Sequence, residues 1–202
     1  MSQVKEKGKA PELLCPLNDW KSISKATRVL QNTDAVYFGI KGHFSMRARA
    51  GNFRPDKITQ LVKKLHKHNV KAYLATNIII YNIELNELYQ TIELASKAEV
   101  DGVICHDLAS IMMCKKIGIP FHVSTQANIS NRISAKFYQE LGAERLILAR
   151  ELSLDEIKEI VQDIEIPVET FIHGAMCTAI SGRCYFSAEI MEHDPAFSAN
   201  RG

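Results

Sequence analysis

Gly102-Val-Ile-Cys-His-Asp107 is an apolar run that ends in polar residues; helical apolar spacing follows over Ile111 to Ile117, then a second run, Phe121-His-Val-Ser-Thr125. Strand-like run, helix-like segment and strand-like run together spell a βαβ unit. The runs are nearly continuous in apolar residues, as parallel strands covered on both faces require.

The unit recurs in both directions, about every 25 to 35 residues. Upstream, Leu13 to Leu17 is the first run. A helix follows, opened by Asn18 or Asp19 as N-cap and carrying Ile23, Ala26, Val29 and Leu30 on one face. The second run, Ala35 to Ile40, leads into a long polar loop; Pro55 then opens a helix with an Ile58, Leu61, Val62 and Leu65 stripe. Val70 to Ile80 is the third strand and Glu87 to Val100 the third helix. Downstream come a helix from Asn131 to Leu141, a strand at Arg145 to Ala149, and a capping box, Ser153-Leu-Asp-Glu156, that opens the sixth helix. Pro167 to Ile172 is the seventh strand.

Seven strands and six helices in strict alternation predict an α/β chain: a (β/α)8 TIM-like barrel of parallel strands that lacks its last unit. Residues 1–10 read as a flexible N-terminal segment and residues 11–202 as the barrel domain, incomplete at its C-terminus. An unfinished barrel leaves its first and last strands as open edges. The rival is a dinucleotide-binding sheet, which would place a glycine-rich turn after the first strand; Cys15-Pro-Leu-Asn18 has no glycine.

The composition of the 202 residues, 46% hydrophobic and 24% charged, is that of a globular domain, and a formal net charge of +2 selects no partner by itself. No stretch approaches the roughly 18 apolar residues of a membrane span. The opening MSQVKEKGKAPE has no apolar core of a secretory signal. The expectation is a cytoplasmic protein whose five cysteines are thiols or metal ligands, not disulfides.

In a barrel of this kind chemistry lies at the carboxyl ends of the strands. That rule selects Gly39 and Lys41, Thr76 and Asn77, His106 and Asp107, Ser124 to Gln126, Arg150 and Glu151, and His173 with Gly174. Each is also the place where a solvated loop begins. Cys15, Cys105 and Cys114 sit in apolar segments and read as core, while His66 and His68 lie on the polar face of a lysine-rich helix. Asp107 either orients a catalytic imidazole or caps a helix. Arg47, Arg49 and Arg54, with Lys41 near, form either an anion site or a solvated loop paired with local acids.

After the seventh strand the texture changes. His173-Gly-Ala-Met-Cys177-Thr-Ala-Ile-Ser-Gly-Arg-Cys184 sets two cysteines and a histidine in a loop of small residues. Two thiolates seven positions apart reach one metal centre if the loop folds back, which Gly174 and Gly182 permit. His173 is open to three readings: ligand, substrate contact, or a brace for the loop.

These residues carry a resemblance. The stretch from Glu169 through Cys177 and on to Ser181-Gly-Arg-Cys184 resembles the signature of the collagenase-like peptidases, the thirty-second peptidase family of unassigned catalytic type. Pro11-Glu-Leu-Leu, Asp34 to Gly39, Arg47-Ala-Arg-Ala-Gly-Asn-Phe53, Thr76-Asn77, Ser124-Thr-Gln126 and Leu148 to Ser153 agree in register. The resemblance is to a family that includes collagen proteases, prephenate-dependent tRNA uridine hydroxylases, an rRNA cytidine hydroxylase and proteins of ubiquinone hydroxylation. It implies a 4Fe–4S cluster on four cysteines, of which Cys177 and Cys184 correspond to the first two; the third is expected just beyond Ala199-Asn-Arg-Gly202.

The implied function is iron–sulfur-dependent hydroxylation of a base in tRNA or rRNA, with prephenate as a possible co-substrate and no membrane partner. Lys41, Arg47, Arg49, Asn52, Asn77, Gln126 and Arg150 would then bind the anionic co-substrate or the RNA, and His173 and Asp107 would move protons. The runner-up is a peptidase, with His173 and a strand-end acid in general acid–base roles. No Gly-x-Ser-x-Gly elbow or His-Glu-x-x-His helix supports it, and neither Cys177 beside His173 nor Ser181 has an identifiable orienting partner in the sequence. A third reading is a non-catalytic scaffold.

Overall fold

The computed structural model describes residues 10–25, 30–42, 44–46, 51–174 and 177–183. Seven parallel strands form one sheet in sequence order: β1 Leu14–Pro16, β2 Ala35–Phe38, β3 Lys71–Thr76, β4 Gly102–Cys105, β5 Phe121–Val123, β6 Arg145–Ile147 and β7 Val168–Glu169. Between them lie α1 Trp20–Lys25, α2 Ile58–His66, α3 Leu85–Lys97, α4 Leu108–Ile117, α5 Arg132–Glu140 and α6 Leu154–Asp163. No helix among the described residues is long and apolar enough to cross a membrane.

Local chemistry accounts for the helices. Ile58, Leu61, Val62 and Leu65 of α2 share one face at helical spacing, and each is fully buried. Asp19 is the N-cap of α1, its Oδ1 accepting from the Ser22 amide and hydroxyl, both at 2.7 Å. Ser153 and Glu156 close the capping box that opens α6. Gly118 ends α4 at φ 78°, a left-handed conformation that glycine adopts without a Cβ clash.

Alternation along each strand divides the interior in two. Val36, Phe38, Ala72, Leu74, Val103, Cys105, Val123 and Leu146 face outward into the main core beneath the helices. Ala35, Tyr73, Ile104 and Ile147 form a second cluster on the other face, with Leu14 and Tyr37 against it.

That inner face is strongly curled. The Arg145 guanidinium, on β6, meets the Glu12 carboxylate at 2.7 Å, just before β1. On a flat sheet the five intervening steps would separate those strands by roughly 24 Å. Glu12 also accepts from Lys71 Nζ at 2.8 Å and from the Tyr73 hydroxyl at 3.2 Å, both on β3. The architecture is a TIM-barrel-like α/β fold with a parallel sheet.

The strands are shorter than the apolar runs, most of all β3 and β7. β3 stops at Thr76, although apolar residues continue to Ile80. There the chain leaves the ladder; Ile78 stays buried while Ile79 is exposed, and the Ile80 amide donates to Asp107 Oδ2 at 3.3 Å. β7 spans only Val168–Glu169; among the described residues it pairs with β6 alone, and Phe171 and Ile172 emerge into solvent. Ala26 and Val29 of the expected first helix, and most of the N-terminal segment, lie outside the described residues.

Candidate active site at the carboxyl ends of the strands

The loop after β2 is stitched shut at its base. The Lys41 amide donates to Phe53 O at 2.9 Å, and the Phe53 amide to Gly39 O at 3.1 Å. Phe53 packs edge-on against Trp20 and Phe38, at centroid distances of 5.5 and 5.8 Å. Gly39 makes the closure possible: a Cβ there would stand 2.9 Å from Asn52 Oδ1 and 3.1 Å from Ser45 Oγ. Asn52 is buried at φ 46°, in the left-handed region that asparagine tolerates. Asn77, at the end of β3, accepts from the Met46 amide at 3.2 Å. Asn52 and Asn77 therefore shape the loop; Lys41 is exposed beside it, and Arg47 and Arg49 lie outside the described residues. Arg54 pairs with Asp56 at 2.9 Å, which fits the solvated-loop reading for that arginine.

At the end of β4, Asp107 has both oxygens engaged. Oδ1 accepts from the Ala109 amide at 2.8 Å as the N-cap of α4, and Oδ2 receives the Ile80 amide. Of the two readings the geometry favours the cap. His106 beside it is half-buried, and burial lowers its pKa against the opposing charge of Asp107. Its Nδ1 is buried and has no hydrogen-bond partner among the described residues. Cys105 and Cys114 touch at 3.6 Å in the outer core, and burial pushes the Cys105 thiol up, so both are inert core residues.

The cysteine loop is docked on the ends of β5 and β6. Ser181 is the contact point, 1% exposed. Its hydroxyl donates to Glu151 Oε2 at 2.9 Å and accepts from the Arg150 amide at 3.2 Å and Nε at 3.3 Å; Thr125 Oγ1 lies at 3.4 Å. The Ser181 amide donates to Glu151 Oε1, and Arg150 Nη2 donates to Ala179 O at 2.9 Å. Burial pushes the Glu151 carboxyl up, but the hydrogen bonds from Ser181 outweigh it and the net shift is downward. Gly182 sits at φ 74° directly on the Gln126 carbonyl oxygen, which a Cβ would strike. Arg150 and Gln126, expected to bind substrate, thus hold the loop, Arg150 through its guanidinium and Gln126 through its backbone.

Cys177 and His173 are exposed at the same end of the sheet, and Cys184 lies just beyond the described residues. A turn, in which the Arg183 amide donates to Ile180 O at 2.9 Å, separates the two cysteines. Cys177 is an exposed cysteine, the donor type that a four-thiolate metal site takes, and it stands seven positions before Cys184 in the sequence. No cluster of three or more His, Cys, Asp or Glu that could hold a metal occurs among the described residues. Ser181 and Glu151 were visible in the sequence only as a loop serine and a strand-end acid. Nothing local pairs residues 30 positions apart.

A curled parallel sheet with helices between its strands defines a TIM-barrel-like protein, and the carboxyl ends of the strands are its candidate site. The chain belongs to peptidase family U32, whose profile matches residues 19–202. It is 36% identical over 203 residues to a collagenase of Porphyromonas gingivalis, covering 95% of this chain and 47% of that protein. To tRNA hydroxylation protein P1 of Bacillus subtilis it is 36% identical over 196 residues, covering 96% and 45%. The chain therefore spans just under half the length of these relatives. Among solved structures, the U32 peptidase Mk0906 superposes with a TM-score of 0.66 at 15% identity, over 84% of this chain and 72% of that one.

Proposed function

We propose that the chain is the barrel portion of an enzyme that hydroxylates a base in tRNA, with Cys177 and Cys184 as two of the four ligands of an iron–sulfur cluster. The observation that carries this reading is the anchored cysteine loop, which presents an accessible thiol at the end of the sheet where a barrel does its chemistry. The similarity to a tRNA hydroxylation protein over nearly the whole chain supports the choice of substrate.

A 4Fe–4S cluster bound there would supply one-electron redox capacity. The chain's own residues do the rest. Lys41, with Arg47 and Arg49 on the loop after β2, supplies cations for a carboxylate co-substrate such as prephenate or for RNA phosphate. Asn52 and Asn77 hold that loop in shape. His173, exposed at the end of β7, is placed to exchange a proton with solvent. The matching architecture is a complete (β/α)8 barrel, with an eighth unit closing the gap between β7 and β1, and the matching compartment is the cytoplasm, where tRNA resides.

The peptidase reading gains one observation, since Ser181 has a carboxylate partner in Glu151. It loses more than it gains: at 1% exposure, with its oxygen enclosed by Arg150, Thr125 and Glu151, that hydroxyl has no approach to a peptide carbonyl. Two measurements test the proposal. The whole gene product, purified without oxygen, should hold about four irons per protein. tRNA from a deletion strain should lack a hydroxylated uridine by nucleoside mass spectrometry. Loss from rRNA instead would move the substrate, and gelatin cleavage by iron-free protein would overturn the reading.

A further inference from the structure

We infer that Ser181, clamped by Glu151 and Arg150, is the positioning residue that sets Cys177 and Cys184 relative to the barrel. The inference rests on the cluster reading of the two cysteines.

Three described residues between them in sequence are tied to the strand ends. Ala179, Ser181 and Gly182 contact Arg150, Glu151, Thr125 and Gln126, and none of these ties is made to the apolar core. The length of the span makes such ties necessary. Seven extended residues reach roughly 23 Å, so two thiols at the ends of a free loop would sample distances far beyond one metal centre. A clamp at Ser181, between the two, removes that freedom.

The clamp is built for constancy. The Glu151 carboxylate receives two hydrogen bonds from one residue, amide and hydroxyl, and these charge-assisted bonds are stronger than neutral ones. Arg150 closes the other side, giving its amide and Nε to the hydroxyl and Nη2 to the loop backbone. Gly182 then lets the chain lie on the Gln126 carbonyl, which any larger residue would push away. The loop itself buries little, with Cys177 and Ile180 both exposed. Its ties therefore set the loop's position while contributing little to the stability of the sheet.

The test uses the whole gene product with Ser181→Ala, Glu151→Ala and the conservative Glu151→Gln. In iron-free protein, tryptic cleavage after Arg183 reports release of the loop. It should rise about tenfold in the two alanine variants, with Glu151→Gln between them and wild type, while the unfolding temperature of the barrel hardly moves. After anaerobic reconstitution the alanine variants should retain several-fold less iron and lose visible absorption in proportion. Wild-type cleavage rates and wild-type iron in both alanine variants would overturn the assignment. Wild-type protein that takes up no iron would overturn the cluster reading, and this assignment with it. If Ser181→Ala does not fold, Glu151→Gln decides by the same two readings.

Discussion

The two ends of one sheet are built on opposite plans. At the amino ends, inside the curl, Glu12, Lys71, Tyr73, His122, Arg145 and Glu169 pack side chain to side chain. Arg145 bridges Glu12 at 2.7 Å and Glu169 at 3.4 Å and lies over the Tyr73 ring at 5.2 Å, while Tyr73 stacks edge-on with His122 at 4.6 Å. At the carboxyl ends the polar groups instead hold loops, and Lys41, His173 and Cys177 there are exposed. Two large shifts in ionisation belong to the first group. Burial raises Glu12, but bonds from Arg145 and Lys71 outweigh it and hold it at about 2. Burial, with the Arg145 charge, takes His122 down to about 3. Perturbed pKa values often mark active sites. Here they mark a plug of ion pairs, which shows that such shifts locate low dielectric and paired charge before they locate chemistry.

That contrast breaks most readily at Arg145. Arg145→Ala takes the cation from Glu169 and leaves Glu12 with Lys71 alone, and should cost about 3–5 kcal/mol in urea denaturation, with activity per folded molecule retained. A loss under about 1 kcal/mol would mean that water already screens the cluster.

Acid should act on the same end. His122 takes a proton in the unfolded chain near its ordinary pKa of 6.5 but resists it when folded, so stability is intact above 6.5 and falls as pH drops from there toward 3. By pH 4.5 the loss from this residue is on the order of 2–3 kcal/mol. Glu12, also depressed, adds its own loss below 4.5. Glu169, which burial raises against the pull of Arg145, works the other way and offsets part of it. His122→Gln should remove the part of the acid limb that lies above pH 4.5; a limb unchanged in the variant would shift the assignment to other groups.

Smaller effects belong to the carboxyl ends. Gly182→Ala puts a Cβ into the Gln126 carbonyl at a positive φ, yet the displaced loop carries little of the core. A global loss of about 1 kcal/mol is expected, together with loss of most bound iron. Asp107→Ala should cost about 1 kcal/mol through its helix cap, and Asp107→Asn, which keeps an acceptor oxygen, should restore stability and turnover together. Turnover that stays down a hundredfold in Asp107→Asn at unchanged stability would make the residue a proton carrier after all.

Much of this was legible beforehand. The Gly102 to Thr125 unit, the Asp19 and Ser153 caps and the α2 stripe fold as their local patterns require. The strand-end rule also picks out residues that lie at one face, and for several of them the fold supplies an intramolecular partner that the sequence does not show. Arg150 grips Ala179 and Ser181, Asn77 holds Met46, and Asp107 straps Ile80. The overrun of β3 has the same origin. Ile78 to Ile80 look like strand because apolar runs do, but a strand lasts only as long as its neighbour.

Helix, strand and their order depend on sterics and burial among residues a few positions apart, so composition and period suffice to determine them here. The tie from Glu12 to Arg145, the clamp of Ser181 on Glu151 and the seat of Gly182 on Gln126 depend on how far the sheet curls and on which residues register brings opposite one another. Curvature is a sum over all seven strands, and no single segment encodes it. That is why the loop that carries the cysteines could be found in the chain, while what holds it appeared only in the folded molecule.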